Sequence, residues 1–254
     1  MRKWVVILLI LCADIGSAQT LIIAQPARRR VPAAGGGLAL VSSKLDSITG
    51  GGGVYTTTFT CSGSGRYFEG SIIGNNGGAG GLDWRVDSVF FDGNYSTGQR
   101  CTFVDSLFCT IGGATHGSVW GLIAPRTTTN ATVTIYAHSN GTIYLFSNTQ
   151  IFMYAFTGAN QSTPIRNVAH QEQWYGNPTA SLTSGATDIV TGFLFDYWSE
   201  GGTITPGGGE TKVLGNGIKS IAVTKPGSAG TVSLTETMGN SGNITLFFAT
   251  SVQP

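Results

Sequence analysis

The stretch Asn130-Ala-Thr-Val-Thr-Ile-Tyr-Ala137 decides the fold. Residues two apart on an extended chain point the same way, so Ala131, Val133, Ile135 and Ala137 share one face, while Thr132, Thr134, Tyr136 and His138 share the other. One face is apolar and the other carries hydroxyls and an imidazole, as a strand with one side packed and one side wet requires. Two later segments repeat the scheme. Thr231-Val-Ser-Leu-Thr235 and Asn243-Ile-Thr-Leu-Phe-Phe248 point Val232, Leu234, Ile244, Leu246 and Phe248 inward.

Working outward, further strands are expected at 54–60, 66–73, 85–91, 101–108, 118–123, 141–147, 150–156, 187–198, 210–214 and 218–224. Turn chemistry separates them. Asn140-Gly141 suits a type I′ hairpin, whose two central residues need positive φ, and Asp92-Gly93 and Gly215-Asn216-Gly217 are weaker instances. Arg166 to Tyr175 is the one tract with helical character. Short strands at this spacing indicate an all-β protein, an antiparallel β-sandwich of jelly-roll type. No repeat of fixed period appears, which argues against propellers and solenoids. A single sandwich over 38–254 is expected, with 187–198 at its centre; two smaller sandwiches divided within 158–186 are the alternative.

The chain begins differently. Arg2 and Lys3 precede an apolar run from Trp4 to Cys12, and Gly16-Ser17-Ala18 supplies small residues for cleavage. Residues 1–18 therefore read as a secretory signal peptide, and the run is too short to span a membrane. Residues 19–37, with Arg28-Arg29-Arg30 and three glycines, read as a flexible linker. No membrane span is expected in the mature chain.

Composition narrows the function. The 254 residues include 38 Gly, are 41% hydrophobic and only 11% charged, and carry a formal net charge of +1. A chain this apolar can build a core, and one so nearly neutral offers no electrostatic case for nucleic acid. Cys61, Cys101 and Cys109 remain after residue 18. On one continuous strand Cys101 and Cys109 would stand ~27 Å apart, so a disulfide requires a turn between them, and free thiols are favoured.

Motifs of catalysis and metal binding are missing. His116, His138 and His170 lack helical spacing, no Cys-x-x-Cys occurs, and there is no Gly-x-Ser-x-Gly elbow or phosphate loop. No catalytic residue, metal or cofactor is expected. One acidic cluster and one further acid deserve note, because glycosidases set two carboxylates across a groove: Asp83, Asp87 and Asp92 around Trp84-Arg85, and Glu172 beside Trp174-Tyr175. Loop aromatics give the stronger lead. Trp174, Tyr175 and Trp198 are the candidate ligand contacts, since flat rings stack on the apolar faces of sugars while Asn, Asp and Arg bind hydroxyls. Trp84, Trp120 and Trp198 also suit a role capping the core.

Four segments carry a resemblance: Arg66-Tyr-Phe-Glu-Gly-Ser-Ile-Ile73, Val86-Asp-Ser-Val-Phe-Phe-Asp-Gly93, Val119-Trp-Gly-Leu-Ile-Ala-Pro125 leading into Ala131 to Ile135, and Gly230 to Thr235 followed by Ile244 to Ala249. Together they resemble uncharacterised β-sandwich proteins of phage genomes and bacterial surfaces. The resemblance implies a jelly-roll-like fold and a virion or surface role, and it supplies no catalytic residue. The expected function is a non-enzymatic, secreted or surface-exposed protein for attachment or structure, with weak glycan binding. A phage virion component (tail, decoration or capsid-associated) and a secreted glycan-cleaving enzyme are the alternatives. Partners would be glycans or a cell-surface or virion component, and open sandwich edges leave a homo-oligomer open.

Overall fold

Period-two burial builds four layers of sheet rather than two. The computed structural model describes residues 37–48, 53–75, 84–109, 115–139, 147–196, 203–215, 219–239 and 244–254. The signal segment, nearly all of the linker, the Asn140-Gly141 turn and most of the 141–147 strand lie outside them. The described residues contain strands and no helix, and every pairing is antiparallel.

The first half supplies β1 (Ala39–Ile48), β2 (Val54–Phe59), β3 (Tyr67–Asn75), β4 (Trp84–Phe91), β5 (Gln99–Arg100), β6 (Thr102–Phe108), β7 (Thr115–Ile123), β8 (Ala131–Ser139) and β9 (Ser147–Thr157). One sheet runs β1-β9-β3-β7-β6 and the other β2-β8-β4-β5. Counting β5 and β6 as one strand that changes sheets, the orders are 1-8-3-6-5 and 2-7-4-5. That is jelly-roll connectivity.

The second half repeats it. Its strands are β10 (Ile165–Trp174), β11 (Thr179–Ser184), β12 (Ile189–Asp196), β13 (Ile204–Thr205), β14 (Thr211–Leu214), β15 (Ser220–Pro226), β16 (Gly230–Thr235), β17 (Thr237–Met238) and β18 (Ile244–Val252). Here β10-β18-β12-β15-β14 form one sheet, again 1-8-3-6-5, while β11 pairs with β16 and β13 with β17. The repeat lies in topology, so no sequence period betrays it. The two rolls divide between β9 and β10, inside the 158–186 stretch of the two-sandwich alternative, and the 187–198 segment supplies β12, the middle strand of the second roll's five-stranded sheet and not the centre of one two-sheet sandwich.

The two five-stranded sheets pack on each other. β3 crosses β12, β7 lies near β18, β6 near β10 and β1 near β14, so the halves meet in reversed strand order, as about a two-fold axis. Three cores result. Phe68, Ile72, Trp120, Ile151 and Met153 face Phe59, Val89, Phe91, Val133 and Ile135 in the first. Tyr67, Val119, Phe152, Tyr154 and Phe156 meet Phe193, Phe195, Leu246 and Phe248 in the second. Val190, Leu194, Ile221 and Phe247 meet Leu182, Val232 and Leu234 in the third. The inward residues expected on β8, β16 and β18 are all buried.

Two expectations are corrected. The wet second face does not hold for the middle sheets: all nine residues of β18 are buried, as are seven of eight in β12. A strand sandwiched between two layers hides both parities. Arg166 to Tyr175 is not helical but forms β10, and the supposed irregular region 158–186 holds β10 and β11. Gln, Glu and Ala there favour a helix only weakly, and pairing with β18 from Ile165 to Trp174 overrides that preference.

Candidate functional site

The first jelly roll opens where its fifth strand changes sheets. β5 pairs with Phe90 and Phe91 at the end of β4, and the Cys101 amide donates to the Val89 carbonyl at 2.8 Å. The chain then crosses over, and β6 pairs with β7 instead. Among the described residues, β4 from Arg85 to Ser88 has no strand on that side. A groove of about 690 Å³ fills the gap, lined by Arg85, Val86, Asp87, Arg100, Cys101, Thr102, Phe103, Trp120 and His138.

Both walls carry a β-bulge. Register shifts between Val86 and Ser88 on β4, and between Phe103 and Asp105 on β6. Bulges re-aim side chains and recur beside functional sites. Phe103 stays 50% exposed, and it meets the buried Trp120 in a T-shaped contact with ring centroids 5.5 Å apart. Trp120 is fixed in turn, because its Nε1 donates to Ser118 Oγ at 2.9 Å. Across the groove His138 Nδ1 lies 2.5 Å from Asp87 Oδ1, which orients the ring, and its other nitrogen makes no hydrogen bond among the described residues. The groove therefore offers one exposed aromatic face, two guanidinium groups, a carboxylate and an imidazole on strands of two packed sheets.

The aromatic pair Trp174–Tyr175 stands elsewhere, at the end of β10. Trp174 is half-buried against the middle core, and its Nε1 donates to Glu172 Oε1 at 3.0 Å. Cys109 Sγ donates to the same oxygen at 2.8 Å. Tyr175 is 61% exposed, with a positive φ of 51°, and meets Trp174 edge-on at 6.1 Å. Trp198 lies outside the described residues. Trp120 caps the first core, as expected.

These acids come apart. Asp92 accepts from Thr128 Oγ1 at 3.0 Å and Arg126 Nη1 at 3.4 Å in a turn, while Asp83 lies outside the described residues. Asp87 and Glu172 stand on sheets with another sheet between them. Packed sheets are about 10 Å apart, so these two carboxylates do not flank one bond. Among the described residues, no group of three or more His, Cys, Asp or Glu could hold a metal ion.

Buried polar groups escape the sequence reading altogether. Glu69, on β3 between the two middle sheets, is fully buried and accepts from Thr191 Oγ1 at 3.0 Å and from Thr250 Oγ1. Burial pushes its carboxyl up to about 7, against the pull of the two hydroxyls. Tyr67 and Tyr154 beside it hold their protons far above the ordinary phenol range, through burial and then through the charge of Glu69. In the second jelly roll, burial and then the charge of Glu210 push Glu236 up to about 9. Asp188 is the opposite case. Burial pulls it upward, but Arg166, the Gly185 amide and Ser251 outweigh that and hold it below the ordinary carboxylate range.

The three cysteines among the described residues, Cys61, Cys101 and Cys109, are free and buried. The extended strand β6 fills the interval between Cys101 and Cys109, so they cannot meet. Burial pushes the Cys61 thiol up to about 12 and Cys101 higher still. These are packing groups. No protein-family model matches the chain, and comparison with curated proteins and with solved structures finds no match.

Proposed function

We propose that this is a non-enzymatic, secreted or surface-exposed attachment protein that recognises glycans through the side groove of its first jelly roll. The observation that carries the reading is Phe103, half exposed on a bulged strand. A wet aromatic costs a few kcal/mol of unrealised burial at most, and here a fixed Trp120 holds it beside Arg100, Asp87 and His138. Sugars need that combination: a flat apolar surface for the ring and several hydrogen-bonding groups for the hydroxyls.

A glycan array probed with the full chain, Phe103→Ala and Tyr175→Ala tests it. Binding lost in Phe103→Ala supports the groove, and binding lost only in Tyr175→Ala moves recognition to the Trp174–Tyr175 pair. No binding to any sugar removes the glycan reading.

A second reading is a phage virion structural role. It is favoured by two jelly rolls joined through a shared aromatic core, a rigid block suited to assembly. Neighbouring capsid or tail genes, and the chain recovered in purified particles, support that role; its absence from particles refutes it.

A further inference from the structure

We infer that the groove selects carboxylate-bearing sugars, uronic or sialic acid units of an anionic glycan, with Arg100 as the carboxylate partner and Phe103 as the stacking face. This rests on the glycan reading and adds the charge class. Arg100 is exposed on the groove's lip, at the last residue of β5, and makes no ion pair or hydrogen bond among the described residues. A guanidinium presents a planar fork that meets a carboxylate through two parallel N–H bonds.

The counter-charge is spoken for. Among the described residues Asp87 is the one carboxylate in the lining, and it already faces His138 at 2.5 Å. That leaves the positive charge of Arg100 without a partner among the described residues, although the chain as a whole is nearly neutral with 14 basic and 13 acidic residues. A local field of that sign favours an anion over a neutral sugar of the same shape. A sugar acid also offers, within one residue, a ring face for Phe103 and hydroxyls for Thr102, Asp87 and the second His138 nitrogen. An acidic peptide would satisfy Arg100 but would leave the aromatic face and the hydroxyl-binding groups less fully used.

Titration calorimetry on the full chain separates the cases. The probes are oligogalacturonate and its methyl ester, and sialyllactose and lactose; each pair differs in the acid. We expect at least one acid to bind and its neutral counterpart to bind roughly tenfold more weakly or worse, the size of a charge-assisted contact. Arg100→Ala should lose a similar factor with an unchanged melting temperature. Arg100→Lys, which keeps charge but not the fork, should fall between. Affinity should also drop as salt rises. Equal binding of acid and neutral sugar overturns the charge class while the glycan reading stands. Equal binding of polyglutamate or dextran sulfate shows a generic polyanion surface and also overturns it. No sugar binding, acidic or neutral, ends both.

Discussion

Replacing Glu69 by Gln should make the protein more stable above neutral pH and change little in acid. Glu69 lies between the two jelly rolls, fully buried, with only Thr191 and Thr250 hydroxyls on its oxygens. Its carboxyl moves from 4.5 to about 7 on folding, which corresponds to about 3.4 kcal/mol at about 1.36 kcal/mol per pH unit. The folded state keeps the proton after the unfolded chain has released it. Stability therefore falls as pH rises from 4.5 to about 7, and is flat in this group's contribution above that. Gln keeps a carbonyl to accept from one hydroxyl, sets an amide N–H against the oxygen of the other, and has no proton to lose. Urea unfolding of both proteins at pH 4.5, 6 and 8 gives the difference directly. Glu236 titrates in the same sense but is present in both chains, so it cancels in the subtraction. The expected gain for the variant is about 3 kcal/mol at pH 8 and less than about 1 kcal/mol at pH 4.5. Parallel stability curves across that range would refute the reasoning.

Other expectations concern the joints of the fold. Asp188, with its side chain fully buried, accepts from Arg166 Nε at 2.6 Å, the Gly185 amide at 2.8 Å and Ser251 Oγ at 2.8 Å. Asp188→Ala should cost about 3 kcal/mol in denaturant unfolding, and the loss should shrink as pH falls and the wild-type carboxyl takes up its proton. Gly117→Ala would place a methyl 2.3 Å from the Phe248 ring across the two middle sheets; thermal melts should show a loss of about 1–3 kcal/mol, relieved by Phe248→Leu. The three buried thiols should stay silent to a thiol reagent at pH 8 in the folded protein and react fully in guanidinium, because none is accessible and burial suppresses the thiolates of Cys61 and Cys101.

The sequence by itself determined that this chain is built of antiparallel strands. Alternation such as Ala131-Val133-Ile135-Ala137 is a property of a single segment, and it points the same residues inward whatever they face. The role of Trp120 and the separation of Cys101 from Cys109 also follow locally, from a large ring on an apolar strand and from the rise of one extended segment. Only the tertiary structure decided that there are two jelly rolls, because the repeat lies in the order in which strands pair and leaves no mark on residue spacing. β10 shows the same limit: ten residues of mixed polarity become a strand because β18 lies alongside them. The groove is wholly tertiary. Arg85 and Arg100 belong to separate strands, and they share a cavity because the chain leaves one sheet at Cys101 and joins the other. Glu69 meets its two threonines more than a hundred residues away, since side chains facing across stacked sheets are chosen by layer packing and not by sequence proximity.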